Sequence, residues 1–506
     1  MPGGTYTIRC VVRNLPCPNG HSASDKSPLL HVRPRRQLNS KKAGSLRVHQ
    51  VHAEAAEEQR GYLRLPSVQE QAAEHRKSVL SNLSKSGMLF VVGNASVSRN
   101  SDVMHPFRQD SNFAYLTGVQ QTGFAVAIDI ATGYTVLLAP YLDPSLVVWM
   151  GAQPSLDELA EQYGADSCAF LTDLNSVMSR PAFKDGPIHL LHAKDRQAVQ
   201  QFAPQVAQSR CNELVELQQA VTACRAIKTD ADIACLQHAS QVSSDGHVAM
   251  WRRCRPGMHE YELEAEFLRT TMKAGLRHTA YPSIVAAGDN AATLHYEHNN
   301  AVIGKDDLIL VDAGAEYRCF AADISRTFPA SGKFTASQKD LYNGVLKVQD
   351  DAIARYQSGK GWKEEVATPS RQRYCEMLLD LGLVGGSVDA LIDREIDKIF
   401  MPHSLGHFLG LDVHDTSPCG PVPDQLKPGH VVTCEPGLYF VEHMLEPAYN
   451  DAKKKEFLNR DGIDRYRPFG GIRIEDNVVV ASGGNFNLTE AVGMVKSVHD
   501  IEEMCL

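Results

Sequence analysis

Four acidic residues stand within strand-like apolar runs in the second half of the chain, and burying them constrains the fold more than any other feature. They are Asp312 in "LILVD", Asp323 in "FAADIS", Glu435 in "VVTCEPG" and Glu475 in "IRIEDNVVV". A carboxylate in such surroundings is costly to bury unless a hydrogen bond, an opposite charge or a metal ion compensates it. For Asp312 or Asp323 taken alone, a strand-end residue in a turn is the simpler interpretation.

The last of these runs has a charged face. Side chains alternate along a strand, so Ile472, Ile474 and Asp476 share one face while Arg473 and Glu475 share the other. A charged pair on one strand face is typical of a surface in contact with solvent. The flanking glycines and the lack of further polar residues on that face weaken the case for a surface in contact with solvent.

The stretch "HSLGHFLGLDVHD" packs three histidines and two aspartates into residues 403–415. His403 and His407 are four apart, as in the helical H-E-x-x-H zinc motif. However, no Glu follows His403, Gly406 lies between the histidines, and the texture of "FLGLDV" is strand-like, so a helical zinc site is not expected. On its own, this stretch is explained equally well as a histidine-rich loop, and Asp412 and Asp415 are interpreted as structural.

His407 and the four acidic residues together form an oxygen-rich donor set. One histidine with four carboxylates is too acidic for a structural zinc site, which prefers Cys and His. Carboxylates suit Mg, Ca or Mn, and imidazole adds Mn, Fe, Co or Zn. Two divalent ions would balance the charge, with two carboxylates bridging them, and such ion pairs activate a water for attack. Hydrolysis is therefore the reaction class that this set predicts.

Two domains are predicted after a basic head. Residues 63–205 alternate strand and helix patterns, with a hairpin in "DIATGYTVL" around Gly133, which is typical of an α/β domain. Residues 220–506 combine helices with an antiparallel sheet, an α+β layout, and one helix should begin at the N-cap Thr229 with Asp232 three residues on. The two acid-bearing regions, 312–323 and 435–475, suggest two similar halves.

Charge is distributed unevenly along the chain. Of its 51 Lys and Arg and 60 Asp and Glu, residues 1–53 hold nine basic residues and one acid, which leaves 42 basic and 59 acidic residues in the rest. The acidic body argues against nucleic acid as a partner, and no apolar run is long enough to cross a membrane. Residues 1–62 suit a mitochondrial or plastid transit peptide, although a disordered extension of a cytoplasmic protein fits as well.

Four motifs in this order resemble those of metallopeptidase family M24, the proline-specific peptidases of the pita-bread fold. They are "VDAGAEYRCFAADISRTFP", "HSLGHFLGLDVHD", "CEPGLYF" and "GGIRIEDNVVV". "FRQDSNFAYLTGV" resembles the N-terminal domain of the same proteins, which are Xaa-Pro dipeptidase (prolidase) and Xaa-Pro aminopeptidase (aminopeptidase P). The resemblance runs from about residue 65 to the C-terminus. It implies an exopeptidase that cleaves Xaa-Pro bonds in dipeptides or short peptides, as a homodimer.

The resemblance implies a metal-binding role for the donor set. It assigns two divalent metal ions, usually manganese in this family, to Asp312, Asp323, His407, Glu435 and Glu475. Asp323 and Glu475 would bridge the ions, and Glu435 would also handle the proton of the attacking water.

Five further residues match positions around the family's substrate site. His295 and His414 would contact substrate and stabilise the tetrahedral intermediate. His403 lies in the same motif near the site. Arg473 would orient Glu475 or the substrate, and Tyr281 would line the pocket.

One departure from the prolidase pattern affects substrate length. Prolidases carry an arginine between the motifs of His414 and Glu435 that binds the free carboxylate of a dipeptide, whereas this chain has the shorter "DTSPCGPVPDQLKPG" there. Lys427 lacks the planar fork of donors that suits a carboxylate. Longer peptides are therefore an alternative substrate class. A catalytically inactive binding protein on the same scaffold is a second alternative, and methionine aminopeptidase, which shares the catalytic fold, would not need the N-terminal domain.

Overall fold

The computed structural model describes residues 65–83, 86–213, 215–416 and 424–505. The predicted transit segment, residues 1–62, lies outside these ranges, as do residues 417–423 of the loop that follows His414. Across the described ranges, no helix combines the length and the apolar character needed to span a bilayer.

The N-terminal part is built on one mixed sheet. Its strands and short hairpin are β1 Met88–Val92, β2 Ser98–Asn100, β3 Val103–Met104, β4 Ala125–Asp129, β5 Thr135–Ala139, β6 Ser167–Phe170, β7 Ile188–Leu190 and β8 Cys211–Glu213. Six of them form the sheet in the order β6-β5-β4-β1-β7-β8. β4 and β5 are the predicted hairpin, and Gly133 takes the positive φ of 77° that its turn needs.

Helices cover this sheet and lead out of it. They are α1 Val68–Ser81, α2 Ser111–Thr117, α3 Val147–Met150, α4 Leu156–Tyr163, α5 Leu174–Met178, α6 Ala193–Phe202, α7 Pro204–Arg210 and α8 Val215–Ala226. The next helix, α9 Asp230–Arg253, begins at the predicted cap: Thr229 and Asp232 each bond the other's backbone N–H, which satisfies two helix-end donors.

The C-terminal part contains two three-stranded antiparallel sheets. Its strands are β9 Ile284–Ala287, β10 Leu308–Asp312, β11 Glu316–Tyr317, β12 Phe320–Ala321, β13 Ser325–Pro329, β14 Val431–Cys434, β15 Gly437–Tyr439, β16 Gly471–Arg473, β17 Asp476–Ala481 and β18 Gly484–Asn487. The sheets have the orders β13-β10-β9 and β14-β17-β18, and β11-β12 and β15-β16 form two small ladders. The predicted α+β class is confirmed.

Helices pack on the outside of these sheets. They are α10 Glu260–Lys273, α11 Ala336–Ala354, α12 Thr368–Asp380, α13 Val388–Asp393, α14 Asp397–Phe400, α15 Glu442–Asn450, α16 Arg460–Tyr466, α17 Leu488–Ala491 and α18 Val498–Met504. The main core lies between these helices and the first sheet, and it includes Trp251, Phe267 and Phe328. A second apolar cluster joins the two parts of the chain, with Phe113 and Leu116 from α2 packed in one group with Leu236, Leu409 and Leu411.

The two sheets place acidic residues in equivalent positions, which confirms the predicted similarity of the two halves. In the first half, Asp312 closes β10 opposite Ser325, the first residue of β13, and Asp323 lies two residues before that strand. In the second half, Cys434 closes β14 opposite Asp476, so Glu435 follows one strand and Glu475 precedes the other. Each half thus brings two carboxylates to the same end of a strand pair.

Candidate active site

A cavity of about 600 Å³ lies where these strand ends meet. Its walls include all ten residues that are assigned from the sequence to the metal and substrate site: Tyr281, His295, Asp312, Asp323, His403, His407, His414, Glu435, Arg473 and Glu475. Apolar side chains complete it, among them Pro282, Ile284, Leu294 and Val413. A larger groove beside α1, of about 840 Å³, holds none of these residues, so we place the candidate chemistry in the smaller cavity.

Two glycines allow the chain segments to meet closely enough. A Cβ on Gly314 would overlap the carbonyl oxygen of Ala322, so the segment that follows β10 needs glycine there. A Cβ on Gly406 would likewise overlap the carbonyl oxygen of Thr433. This second approach lays the His407 segment along β14, with the backbone N–H of Thr433 donating to the His407 carbonyl at 2.9 Å.

His403 and His407 lie in a loop and not on a helix, as expected, but the strand-like texture of "FLGLDV" is misleading. The segment makes only an isolated bridge, Phe408 to Val432. Leu409 and Leu411 are buried in the cluster that joins the two parts of the chain. Packing of a loop between two layers thus produces the alternating apolar pattern.

His407 presents one ring nitrogen to the carboxylates. Its Nδ1 lies 2.9 Å from the Phe408 carbonyl oxygen, to which it can donate. This contact leaves Nε2 facing Asp323 Oδ2 at 3.4 Å and Glu435 Oε1 at 3.5 Å. Burial opposes protonation of the ring, but the hydrogen bond to Asp323 and the charge of Glu435 raise the pKa of His407 to about 9. A backbone acceptor on one nitrogen is how metal-binding histidines are commonly oriented.

The carboxylates carry more negative charge than the surrounding protein compensates. Ligand atoms of Asp323, His407 and Glu475 lie within 4.8 Å of one another. Burial raises the pKa of Glu435 to about 7, and burial with the charges of Asp323 and Glu435 raises the pKa of Glu475 well above its usual value. Divalent cations would supply the missing positive charge, and the oxygen-rich donor set with one imidazole fits them.

Arg473 is fully engaged by this network. Its Nη2 donates to Asp312 Oδ2 at 2.7 Å, its Nε to Ser325 Oγ at 2.8 Å and its Nη1 to the Tyr439 hydroxyl at 2.9 Å. On the other side, the Tyr281 hydroxyl donates to Asp312 Oδ1 at 2.5 Å. Both oxygens of Asp312 are therefore fixed before any ligand binds.

Sequence reasoning missed three hydroxyl residues that hold the site in place. The Tyr439 hydroxyl lies 3.0 Å from His403 Nε2 and also accepts a hydrogen bond from Arg473. Ser325 Oγ donates to Glu475 Oε2 at 2.8 Å. Thr433 Oγ1 donates to Glu435 Oε1 at 3.3 Å and accepts from the His407 backbone. Tyr439 and Arg473 stand on the paired strands β15 and β16.

The remaining histidines differ in how they are held. Burial and the charge of Arg473 lower the pKa of His403 to about 4, so its ring is neutral at physiological pH. His414 stands edge-on to His407, with ring centroids 4.4 Å apart. Neither His414 nor His295 makes a side-chain hydrogen bond to any residue in the described ranges. Their ring nitrogens are thus available to a bound molecule.

Comparisons with known proteins identify the family of the chain. The profile "Metallopeptidase family M24" matches residues 234–482, and "Aminopeptidase P, N-terminal domain" matches residues 72–187. The chain is 36% identical to the Xaa-Pro dipeptidase of Homo sapiens over 406 residues, covering 75% of this chain and 80% of that protein. It is 34% identical over 419 residues to a probable Xaa-Pro aminopeptidase of Sordaria macrospora, covering 80% of this chain and 89% of the relative.

Solved structures of aminopeptidases share the fold of this chain. The aminopeptidase PepP of Pseudomonas aeruginosa superposes with a TM-score of 0.76 at 32% identity, covering 87% of this chain and 98% of that one. A zinc-substituted aminopeptidase P of Escherichia coli in complex with product gives 0.75 at 30% identity, covering 87% and 99%. The fold and the resemblance predicted from the motifs are confirmed, and the protein is a hydrolase of the metallopeptidase class. The chain belongs to metallopeptidase family M24 and joins that catalytic domain to an aminopeptidase P N-terminal domain.

Proposed function

We propose that this protein hydrolyses the Xaa-Pro bond at the N-terminus of peptides with two bound divalent cations, manganese being the expected metal. One observation carries the proposal: five potential ligands line one cavity. They are Asp312, Asp323, His407, Glu435 and Glu475. Asp323 and Glu475 would bridge the ions. When bound, divalent ions supply Lewis-acid chemistry, because they polarise a carbonyl group and acidify a coordinated water.

The chain's own residues provide proton transfer and orientation. Glu435 accepts the proton of the attacking water on a carboxylate oxygen and passes it to the proline nitrogen as the bond breaks. His295 and His414, whose side chains make no hydrogen bond within the described ranges, donate to the oxygen that gains charge in the tetrahedral intermediate. Arg473 and Tyr281 keep Asp312 oriented, and His403 and Tyr281 line the substrate side.

We infer that the preferred substrates are peptides longer than dipeptides. A dipeptidase has to bind a free carboxylate close to the scissile bond, and an arginine fork serves that purpose best. Among the described residues lining the cavity, Arg473 is the one arginine or lysine, and all three of its nitrogens are already engaged. The sequence from Asp415 to Leu426 contains no Arg or Lys. The dipeptidase activity remains the alternative.

The direct test is hydrolysis of matched peptides by the purified protein with Mn²⁺. We expect release of the N-terminal residue from an Xaa-Pro-Pro tripeptide at a higher kcat/KM than from Gly-Pro. The reverse preference would support the dipeptidase alternative. Metal analysis should find two ions per chain. A protein that binds both ions and cleaves neither peptide would be a binding protein on the same scaffold, and the proposal would be wrong.

We also propose that the protein is a homodimer. A run of apolar side chains at α3 supports association, since Val148 and Trp149 are 81% and 83% exposed and Met150 is 69% exposed. Contiguous exposed apolar patches are uncommon on monomeric proteins and often mark interfaces.

We separately propose that the protein is cytoplasmic unless residues 1–62 act as a mitochondrial or plastid transit peptide. Fusion of these residues to a fluorescent reporter tests it. Import into an organelle would support the transit peptide, and a diffuse cytosolic signal would contradict it.

A further inference from the structure

The loop that carries His414 is held by hydrogen bonds and ion pairs of two nearby carboxylates, Asp412 and Asp415, while the imidazole contacts the His407 ring edge-on. Within the described ranges the His414 side chain has no hydrogen-bond partner, yet Asp412 and Asp415 on either side of it are strongly bound. Asp415 is 3% exposed and Asp412 is half-buried. The position of the exposed His414 side chain is therefore set by the backbone on either side of it.

Asp415 is bound by two buried cations from the segment that links the two parts of the chain. The Arg225 Nη2 donates to Asp415 Oδ1, and Lys228 Nζ donates to Asp415 Oδ2 at 2.8 Å. The side chains of Arg225 and Lys228 are only 7% and 2% exposed. The backbone N–H of Asp415 also donates to the Phe408 carbonyl at 2.9 Å. The residue immediately after His414 is thereby fixed at its side chain and its backbone.

Asp412 is bound by Ser111 and Arg108 of the N-terminal domain and by Arg225 of the linking segment. Ser111 Oγ donates to Asp412 Oδ1 at 2.6 Å, and Arg225 Nη2 donates to Asp412 Oδ2 at 2.6 Å. Arg108 lies 3.7 Å from the same carboxylate, and its guanidinium donates to the backbone carbonyl of Leu411. Arg108 is held in turn by Glu316, with Nε 3.2 Å from Oε1.

Arg225 also contacts the N-terminal domain directly. Its Nη1 donates to Asn112 Oδ1 at 2.6 Å, and Nη2 faces both aspartates. The segment "FRQDSN" at residues 107–112 therefore supplies three of the side chains that meet around the His414 loop. Burying charged groups costs desolvation free energy, so a buried ion cluster is weak evidence for added stability. We therefore interpret this cluster as fixing the geometry of the His414 loop.

We propose that Arg108, Ser111 and Arg225 are positioning residues for His414, so the N-terminal domain serves the reaction by holding a substrate-contacting histidine in place. The proposal rests on the proposed role of His414 in Xaa-Pro hydrolysis. Displacing a catalytic group by about 1 Å can cost about 100-fold in rate. Loosening one of three anchors should therefore lower kcat measurably while leaving the metal ligands in place.

A double-mutant cycle tests the proposal. Arg108→Gln removes the contacts with Leu411 and Asp412, and we expect it to lower kcat on an Xaa-Pro-Pro peptide about 10-fold with little change in KM. In a His414→Ala background the same substitution should have almost no further effect, because it acts through His414. Ser111→Ala should behave in the same way with a smaller loss. Equal losses in both backgrounds would refute the positioning role.

Two further measurements separate this proposal from general destabilisation and from the proposed function. Lys194→Met is a matched control, since Lys194 donates to Asp110 at 3.0 Å beside the same segment without a described contact to residues 409–416. Amide hydrogen exchange at residues 409–416 should speed up in Arg108→Gln and stay unchanged in Lys194→Met. Unchanged exchange in Arg108→Gln would overturn the proposal. If the wild-type protein cleaves no Xaa-Pro peptide, the proposed function fails while the exchange result still decides whether the loop is held.

Discussion

Arg473 and Asp312 form a buried ion pair that joins the two halves of the catalytic domain, with 2.7 Å between Nη2 and Oδ2. Asp312 belongs to the first half and Arg473 to the second, and the same guanidinium contacts Ser325 and Tyr439. The two halves are therefore tied together at the candidate metal ligands themselves. A substitution of Arg473 should consequently change the orientation of the candidate metal ligands.

The first prediction is that Arg473→Lys impairs the enzyme although it keeps the charge. A lysine offers one compact ammonium group where the arginine fork makes three bonds in fixed directions. Substitutions of residues that orient metal ligands typically cost 10–100-fold, so we expect a loss of activity of about that size with weaker metal retention. Steady-state assays with metal titration measure it. Arg467→Lys, at an exposed pair with Glu442, is the control that should show no loss.

The second prediction concerns the two carboxylates proposed as bridges. Asp323→Ala and Glu475→Ala should each abolish turnover and reduce the metal content to fewer than two ions per chain, because each would remove a proposed ligand to both ions. Dialysed protein analysed for metal by mass spectrometry gives the number directly. A variant with near-normal turnover and two bound ions would contradict the bridging assignment.

The donor set could be predicted from the sequence because its members are chemically unusual where they stand. A carboxylate beside "LILV" or within "IRIEDNVVV" is conspicuous in apolar surroundings, and the strand period places Arg473 with Glu475 on one face. In the structure both residues line the cavity, while Ile472 and Ile474 are buried in the main core. Local pattern was sufficient for Arg473 and Glu475, because the information lies within nine residues of sequence.

The residues that hold the site in place could not be predicted in that way. Ser325 and Tyr439 are ordinary strand residues whose partners are 148 and 34 positions away from them along the chain. Asp412 and Asp415 were expected to be structural, and their charges are indeed satisfied inside the protein, but Arg225 lies 187 and 190 residues away. Hydrogen bonds over such separations depend on the packing of layers, which periodicity does not encode.

The third prediction concerns Glu260, a fully buried carboxylate at the start of α10. It accepts from the backbone N–H groups of Ala287 and Ala301, both at 2.8 Å, and from the Tyr296 hydroxyl at 2.9 Å, so it ties down the loop that contains His295. Glu260→Gln turns one acceptor into a donor facing donors. We expect a loss of about 2 kcal/mol in unfolding free energy and reduced activity.

Chemical denaturation measures the stability part of this prediction. The matched control is Glu264→Gln on the same helix, because Glu264 accepts one bond, from Asn299 at 3.0 Å. The control should lose clearly less stability. Similar losses in both variants would show that Glu260 has no special part in holding the loop.

The fourth prediction concerns the proposed homodimer. A Val148→Ser and Trp149→Ser double substitution should weaken association about 30-fold, because buried aromatic anchors commonly contribute about 2 kcal/mol or more to an interface. Light scattering across a dilution series measures the dissociation constant. Met272→Ser removes a single exposed apolar side chain on α10, 55% exposed, and should not change it. An unaltered dimer in the double variant would place the interface elsewhere.

The last prediction links stability to pH through Asp232, which joins α1 to α9. Its Oδ1 lies 2.8 Å from His75 Nε2 and accepts from Gln71 Nε2 at 2.8 Å. Burial opposes ionisation, but the charge of His75 and these hydrogen bonds lower the pKa of Asp232 below its usual value. A carboxyl group with a lowered folded pKa stabilises the protein above its unfolded pKa of about 4, and this stabilisation is lost as the pH falls through the folded pKa.

Asp232→Asn should therefore destabilise the protein most at neutral pH. The difference in unfolding free energy between the variant and the wild type should shrink as the pH drops below about 4. Urea denaturation of both proteins at several pH values gives the two stability curves. Asp245→Asn, whose carboxylate makes one exposed bond from Gln241 at 3.1 Å on the same helix, serves as the control. A deficit for Asp232→Asn that stays constant from neutral to acid pH would contradict the prediction, because the ionised carboxylate would then not be the stabilising form.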